Sequence, residues 1–249
     1  MTTKTRIFAT LPFAALLVPA LAAADVKQPQ EIIDRPRTTP GGQITVEGDL
    51  GLLLYKDLMG DSANSLSLTV GGSYGVDDKI EVGASYGFAL KEFEIKGAFL
   101  AHAAYSLIEG NLSVAADVGG GYDVLGETAA PIGLGARVQF KVNDKLAVYS
   151  PGQQITIGLS DPNPITLGLP VGVGYQASPA LFAHVDTEIA NISIKDSSTT
   201  VFGADYIPLA VGAYFSPSNT MDFGAAIHFF DLKNAGDLIG VVGTARLHM

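Results

Sequence analysis

Strict alternation of apolar and polar residues over 65–90 is the feature that most constrains the fold. The stretch reads SLSLTVGGSYGVDDKIEVGASYGFAL, with Leu66 and Leu68 on one parity and Ser65 and Ser67 on the other. A period of two predicts β-strands, because successive side chains of a strand point to opposite faces. The turn VDDK joins two such strands into a hairpin. The apolar face of this hairpin packs against either a protein core or lipid, and the hairpin alone leaves both open.

The same alternation runs through the rest of the chain and predicts twelve strands. They cover 43–56, 64–76, 79–90, 94–107, 111–123, 131–142, 145–159, 164–176, 180–194, 198–216, 219–232 and 236–248. These segments are about twice as long as a typical globular strand, and they match the length that crosses a bilayer at a tilt. Ten or fourteen strands also fit, since 145–165 and 198–208 are ambiguous. At Pro151-Gly152 the apolar parity changes, which predicts either a β-bulge or an extra loop.

The connections between the predicted strands separate into two kinds. Those that follow even-numbered strands are tight, namely VDDK, IEGN, VNDK, ASPA and SPSN. Those that follow odd-numbered strands are mostly longer or more polar, for example DLMGDSA, VLGETAA and DLKNAGD. Short turns on one side and longer loops on the other are typical of outer-membrane barrels, in which the short turns are periplasmic.

Aromatic residues at two fixed heights indicate which face meets lipid. The apolar parity carries Tyr74, Tyr105, Phe140, Tyr175 and Phe215 just before the tight turns, and Phe88, Tyr122 and Phe229 at the opposite ends. Two aromatic belts are expected where rings lie at the level of the lipid headgroups. The apolar parity is therefore predicted to face lipid. The fold class is an all-β, transmembrane, antiparallel up-and-down β-barrel of about twelve strands, with outer-membrane lipid and the outer-membrane assembly machinery as partners.

The start of the chain predicts export. Residues 1–24 combine a basic start, an apolar stretch and small residues at Ala22-Ala23-Ala24, as in a cleaved secretory signal peptide. Residues 25–42 are rich in proline and polar groups and are predicted to form a mostly extended periplasmic linker, with a plug or partner-binding arm as the alternative. Residues 43–249 form the barrel. The expected location is the outer membrane of a Gram-negative bacterium.

Charge and composition limit the partners. The chain has 15 basic and 25 acidic residues and no cysteine, and removal of the signal peptide takes away two of the basic residues. Nucleic acid is therefore an unexpected partner. A lipoprotein anchor is excluded, because no cysteine is present to carry the lipid. Oligomeric state is left open.

The polar parity is predicted to line the lumen and to determine selectivity. Its acids are Glu47, Asp49, Glu81, Asp117, Asp123, Asp186, Glu188 and Asp222, and its bases are Lys96, Arg137, Lys141 and Arg246. Acid-lined pores favour cations. The leading hypothesis is a narrow channel or transporter for small solutes with a weak cation preference. The alternative is a closed barrel, structural or partner-holding, whose charges pair with one another.

Catalysis is not expected, although a barrel-borne lipid hydrolase is a further alternative. The histidines His102, His184, His228 and His248 all fall on the polar parity, with His184 near Asp186 and His228 near Asp222 in sequence. A nucleophile needs a base and an orienting group, and no motif surrounds these residues. No His/Asp cluster has the spacing of metal ligands, so neither a metal nor a cofactor is expected.

The hairpin and one echo of it resemble a known class of protein. YGVDDKIEVGASYGF (74–88) and VNDKLAVY (142–149) are similar to the periplasmic hairpins of proteobacterial outer-membrane β-barrels, in particular porin-like outer-membrane transporters. The resemblance implies passage of a solute and names neither a substrate nor site residues. One departure is that such barrels commonly end on an aromatic residue, whereas this chain ends ARLHM.

Overall fold

The computed structural model describes residues 26–56, 60–90, 97–123, 128–159, 164–194, 198–201 and 205–249. Residues 198–201 are described by their backbone alone. Among these residues no helix is both long and apolar enough to cross a membrane. Regular structure consists almost entirely of strands. Two short 3-10 turns, Ile32–Asp34 and Leu232–Asn234, are the helical elements of the described chain.

The strands follow one another along the whole described chain. They are β1 Ile44–Lys56, β2 Ser62–Gly75, β3 Ile80–Ala89, β4 Ala98–Ile108, β5 Leu112–Asp123, β6 Thr128–Lys141, β7 Leu146–Pro151, β8 Ile155–Ile157, β9 Ile165–Ser178, β10 Leu181–Ser193, β11 Ser198–Val201, β12 Leu209–Ser218, β13 Met221–Phe229 and β14 Leu238–His248.

The strands close into an antiparallel barrel of twelve wall positions. Each wall position pairs with the next one along the chain, and β1 also pairs with β14, which leaves no open edge between the chain ends. Two of these positions are each formed by two successive strands. Both β7 and β8 lie between β6 and β9, and both β11 and β12 pair with β10. This closure confirms the predicted twelve-strand transmembrane barrel.

Burial in this barrel is inverted relative to a water-soluble protein. In β5, Leu112, Val118 and Tyr122 are exposed on the outer face, whereas Ala115 and Asp117 between them are buried. The same inversion recurs around the wall, with buried polar side chains that include Glu81, Gln139, Gln176, Asp222 and His248. Exposed leucine, valine and aromatic side chains are suited to acyl chains rather than to water, so the outer face is the lipid face.

The change of parity in the seventh wall position comes from a β-bulge. Pro151 is opposite Arg137, and Ile155 is opposite Leu134, so the three residues 152–154 face two residues of β6. The extra residue moves the outward face from even to odd positions. Gly152 and Gln153 both have positive φ, at 102° and 52°.

The side chain of Gln154 repairs the ladder at this bulge. Its Oε1 accepts from the backbone nitrogen of Ala136 at 2.7 Å, and its Nε2 donates to the carbonyl of the same residue at 2.8 Å. The amide of Gln154 thus takes the place of a strand neighbour for one residue of β6. Unpaired backbone groups are costly in a membrane-spanning wall, which explains why a glutamine stands at this position.

The single strand predicted over 198–216 was wrong in its continuity. The structure has β11 at Ser198–Val201, and β12 starts only at Leu209. Pro208 immediately precedes β12, and proline has no N–H to donate to a ladder. Its carbonyl instead accepts a hydrogen bond of 2.6 Å from the Thr187 hydroxyl of β10.

Candidate functional site: the lumen and the N-terminal arm

Residues 26–42, here called the N-terminal arm, lie against lumen-facing side chains of the barrel. Ile33, in the 3-10 turn, is 1% exposed. Its backbone nitrogen donates to Gln176 Oε1 at 3.2 Å, and its carbonyl accepts from Gln139 Nε2 at 2.7 Å. Two wall glutamines, from β9 and β6, therefore hold the backbone of the arm as a strand partner would.

Both ends of the arm are fixed at the short-turn end of the barrel. At the start, the carbonyl of Val26 accepts from Asn219 Nδ2 at 2.9 Å, between β12 and β13. At the end, Gly42 donates to the carbonyl of Gly75 at 2.7 Å, and Gly41 donates to Asp78 at 3.0 Å. The arm thus begins on one side of the barrel opening and finishes on the β2–β3 side before it continues into β1.

A buried ion pair fastens the middle of the arm to β13. Arg35 donates from Nη1 and Nη2 to the two carboxylate oxygens of Asp222, at 2.5 and 2.8 Å. Asp222 is fully buried, and it also accepts from Ser216 Oγ at 2.6 Å and lies 2.8 Å from His248 Nε2. The sequence suggested His228 as the neighbour of Asp222; the structure brings His248 there instead.

A second cluster joins the arm to β3, β5 and β6. Arg137 contacts Glu81 Oε1 at 2.8 Å and Asp117 Oδ2 at 2.6 Å. Glu81 also accepts from the backbone nitrogen and hydroxyl of Thr39, at 2.6 and 2.7 Å, and lies 3.0 Å from His102 Nε2. Arg137 Nη1 further donates to the carbonyl of Arg37 at 3.1 Å. One guanidinium therefore neutralises two carboxylates and binds the arm as well.

A third group of polar side chains lies across β1, β12 and β14. Arg246 forms an ion pair with Glu47 and stands over the ring of Tyr214, 4.8 Å from its centroid. Asp49, also on β1, accepts from the hydroxyl of Thr244 at 2.6 Å. These acids and bases of the predicted set thus contact one another or a hydroxyl, rather than standing free in the lumen.

Of the remaining predicted lumen residues, one has a described contact with the arm. Asp186 accepts from the Tyr149 hydroxyl and lies 2.6 Å from His184 Nδ1, as sequence proximity suggested. Glu188 accepts from the Tyr206 hydroxyl at 2.6 Å. Lys141 contacts Asp34 of the arm at 2.7 Å. Asp123 ends β5 opposite Ala98, and Lys96 lies outside the described residues. The role of the whole set in selectivity stays a prediction.

Among the described residues, the arm borders two cavities of the lumen. The long-loop cavity, of about 580 Å³, reaches Glu188 and Phe230 at the end of the barrel away from the short turns. The arm cavity, of about 650 Å³, runs along β2–β4 past Ser85 and His102. Ile32, Arg35 and Arg37 of the arm take part in their walls, with Ile32 and Arg37 common to both.

The predicted aromatic belt residues lie on the outer face. Tyr74, Tyr105, Phe140, Tyr175 and Phe215 are all 44–52% exposed near the short turns. At the other end, Tyr122 is exposed, while Phe88 and Phe229 are half-buried and pair with the apolar residues Leu68 and Ile239. Their role as headgroup belts stays a prediction.

Sequence reasoning missed the residues of the arm itself. The signal was present as RPR at 35–37, two of the few basic residues of an acidic chain, placed just before an acid-lined barrel. It also missed Gln139 and Gln176, whose amide side chains point inward and bind the backbone of Ile33. Alternation alone assigns a glutamine to the lumen without indicating what it binds.

Comparison with known proteins places the fold. No protein-family model matches the sequence, and no curated protein matches it either. Among solved structures, the NanC porin matches with a TM-score of 0.58 at 7% identity, over 81% of this chain and 98% of that one. The KdgM porin matches with a TM-score of 0.53 at 9% identity over 81% and 98%, and its complex with disordered oligogalacturonate with 0.54 at 8% identity over 82% and 98%. The architecture described above is thus a porin-like outer-membrane barrel fold, shared with these proteins without appreciable sequence identity.

Proposed function

We propose that this protein is an outer-membrane channel for small solutes, narrowed at its short-turn end by the N-terminal arm. The observation that carries the proposal is a closed barrel whose polar lumen holds two cavities of about 580 and 650 Å³, both bordered by the arm. Twelve strands lie between the eight of barrels filled by side chains and the sixteen of open porins. The porin folds that resemble it, one of them solved with an oligogalacturonate, support passage of a small solute.

The arm is the part of the lumen that a solute must pass. Apart from its continuation into β1, it is held by side-chain contacts to β3, β6, β9 and β13 rather than by a long strand pairing. Among the described residues, its backbone joins the sheet at one isolated bridge, from Gly41 to Gly75. Contacts of this kind exchange for water more readily than a ladder does, so the arm is the element that sets how wide the passage is.

The weak cation preference follows from the excess of acids and is part of this proposal. Its support from geometry is limited to the long-loop cavity, which Asp186 and Glu188 border. Closer to the arm, Glu81 and Asp222 are already engaged by arginines and so contribute less field to the pore.

The test is conductance in planar lipid bilayers, with the signal peptide and barrel unchanged and arm residues 28–39 removed. Wild-type protein is expected to conduct weakly, and the deletion variant several-fold more. Heat-modifiable gel migration of both proteins checks that the barrel is folded. Equal conductance of the two would contradict the arm as constriction, and a folded barrel silent in both forms would overturn the channel itself.

A closed barrel that stabilises the membrane or holds a partner is the second candidate. The observation in its favour is the pairing of lumen charges, in which Glu47, Glu81 and Asp222 each contact an arginine. This candidate predicts no current even after the arm is deleted. The bilayer measurement above therefore separates the two functions directly.

A hydrolase has one observation in its favour. The Thr45 hydroxyl lies 3.0 Å from His248 Nδ1, and His248 Nε2 lies 2.8 Å from Asp222, the order of groups in a nucleophile–base–orienter relay. However, Asp222 also accepts two hydrogen bonds from Arg35, which fits an anchoring role for this carboxylate. Ester hydrolysis that disappears in Thr45→Val would establish the enzyme; we expect none above background in either protein.

A further inference from the structure

One arginine of the lumen differs from its neighbours because it forms no ion pair with a carboxylate of any described residue. Arg35 pairs with Asp222, Arg137 with Glu81, and Arg246 with Glu47. Arg37 lies in the same region, bordering both cavities, and forms no ion pair with any residue that the structure describes. Three guanidiniums are thus neutralised within the protein, and the fourth is not.

The hydrogen bonding of Arg37 is also incomplete. Its Nη2 donates to the carbonyl of Arg35 at 3.1 Å, while its Nε is shielded from solvent without an acceptor among the described residues. Arginine carries five donors, and a buried donor without an acceptor costs free energy. The protein therefore maintains a guanidinium with one buried donor, Nε, that no described residue satisfies.

Burial and nearby positive charges disfavour the charged form of Arg37. Burial, and after it the nearby positive charge of Arg137, lower the pKa of Arg37 to about 10; Tyr149 acts in the opposite sense and Arg35 in the same sense as Arg137. The group remains charged at neutral pH, but without a counter-ion of its own. An oxyanion beside it would supply the missing charge and the missing acceptors together.

We propose that Arg37 is a binding site for the oxyanion group of a solute, a carboxylate or a phosphate, where the arm borders both cavities. The planar guanidinium matches such groups in geometry and is the side chain that proteins most use to bind them. A solute reaches Arg37 from either cavity, because the residue borders both. The site rests on the proposed function in so far as solutes enter the lumen from outside.

This site makes the arm a filter as well as a constriction. Two neighbouring acids are already engaged, since Glu81 is bound by Arg137 and Thr39, and Asp222 by Arg35. An anionic solute would pause at Arg37, whereas a simple cation would be repelled there. The proposed cation preference at the long-loop cavity and the oxyanion site at the arm then act at different depths of the same lumen.

The experiment measures binding without conduction. Detergent-folded protein is titrated calorimetrically with inorganic phosphate and, separately, with acetate, at constant ionic strength in chloride. Wild-type protein is expected to bind at least one of the two, and Arg37→Gln to bind it about 10- to 100-fold more weakly, the range for losing charged hydrogen bonds. Arg37→Lys, which keeps the charge without the planar fork, should fall between them.

Lys27→Gln is the matched control, because it removes one positive charge from the same arm. Lys27 is exposed, and its Nζ donates to the carbonyl of Gly41 at 2.8 Å, away from the cavities. It is expected to bind phosphate or acetate as wild type does. Wild-type protein that binds neither anion, or equal weakening in Arg37→Gln and Lys27→Gln, would overturn the site.

The result is separable from that of the channel test. Current in bilayers without Arg37-dependent binding would overturn the oxyanion site and leave the channel standing. Arg37-dependent binding by a barrel that never conducts would do the reverse.

Discussion

Arg35 and Asp222 stand 187 positions apart in the chain and meet through two hydrogen bonds, of 2.5 and 2.8 Å, inside the barrel. The side chains are 9% and 0% exposed. One belongs to the arm and the other to the wall at β13, so this pair fixes where the arm lies. Loss of one member of a buried pair leaves the other charge without its partner, so breaking this pair should destabilise the attachment of the arm.

Arg35→Gln is therefore expected to release the arm. The free energy of unfolding should fall by about 3 kcal/mol, the scale for breaking a buried ion pair, while His248 and Ser216 still solvate Asp222. Conductance in bilayers should rise, and trypsin should cut after Arg37 faster than in wild type. Lys56→Gln removes an exposed pair with Asp237 at the far end and should change stability by less than about 1 kcal/mol. A stable, uncut Arg35→Gln protein would show that the pair does not hold the arm.

Gly75→Ala tests the end of the arm by steric means. A Cβ at Gly75 would collide with the carbonyl oxygens of Thr39 and Pro40, so the arm must move away from β2. We expect higher conductance, as in the arm deletion, with the barrel still folded by heat-modifiable migration. Gly243→Ala on β14 is the control, since a Cβ there meets no atom within 4 Å. Identical currents from both variants would argue against anchoring at Gly75.

A lysine on each face of the wall tests the orientation of the strands. Val118, in the middle of β5, is 43% exposed on the outer face, whereas Ser85 of β3 borders the arm cavity. Val118→Lys should lower the folding free energy in lipid vesicles by about 2–4 kcal/mol, the cost of a cationic side chain near the bilayer midplane. Ser85→Lys should cost less than about 1 kcal/mol, because water reaches the lumen. The opposite ranking in urea titrations would invert the assignment of the two faces.

The loop after β13 should respond to acid through Asp231. Hydrogen bonds to its carboxylate from the backbone nitrogen of Ile207 at 2.9 Å and of Lys233 at 3.0 Å hold the pKa of Asp231 below its ordinary value. A lowered folded-state pKa means that the contact stabilises the loop above the ordinary pKa of about 4 and is lost as pH falls through the lowered one. The amide proton shift of Ile207 should titrate with a midpoint below about 4 by NMR. That transition should vanish in Asp231→Asn; a midpoint at or above 4 would contradict the contact.

Much of the wall was predictable because successive side chains of a strand point to opposite faces, so the pattern of adjacent residues shows which face each one occupies. Alternation along β2, β3 and β5 predicted which side chains face outward, and the register change at Pro151-Gly152 predicted a break in the seventh position. The break in the tenth position was only suspected, since Pro208 does not by itself show where β12 resumes. Lumen and lipid faces followed from parity in the same way.

The partners of the lumen residues could not be predicted in this way. Alternation assigns Asp222 to the lumen, but closure of β14 onto β1 and β13 decides that His248, and not His228, lies beside it. The bond from Arg137 to Glu81 likewise depends on how β3 and β6 face one another across the interior. Such contacts join residues far apart in sequence, and they carry no local period.

The sequence by itself determined that this chain forms long amphipathic strands, with one apolar and one polar face, because side-chain alternation is a property of neighbouring residues. Only the tertiary structure decided that residues 26–42 turn back into the lumen and leave Arg37 without an acid. That outcome depends on the size of the closed barrel and on which carboxylates pair with the other arginines. Both are set by contacts across the whole chain.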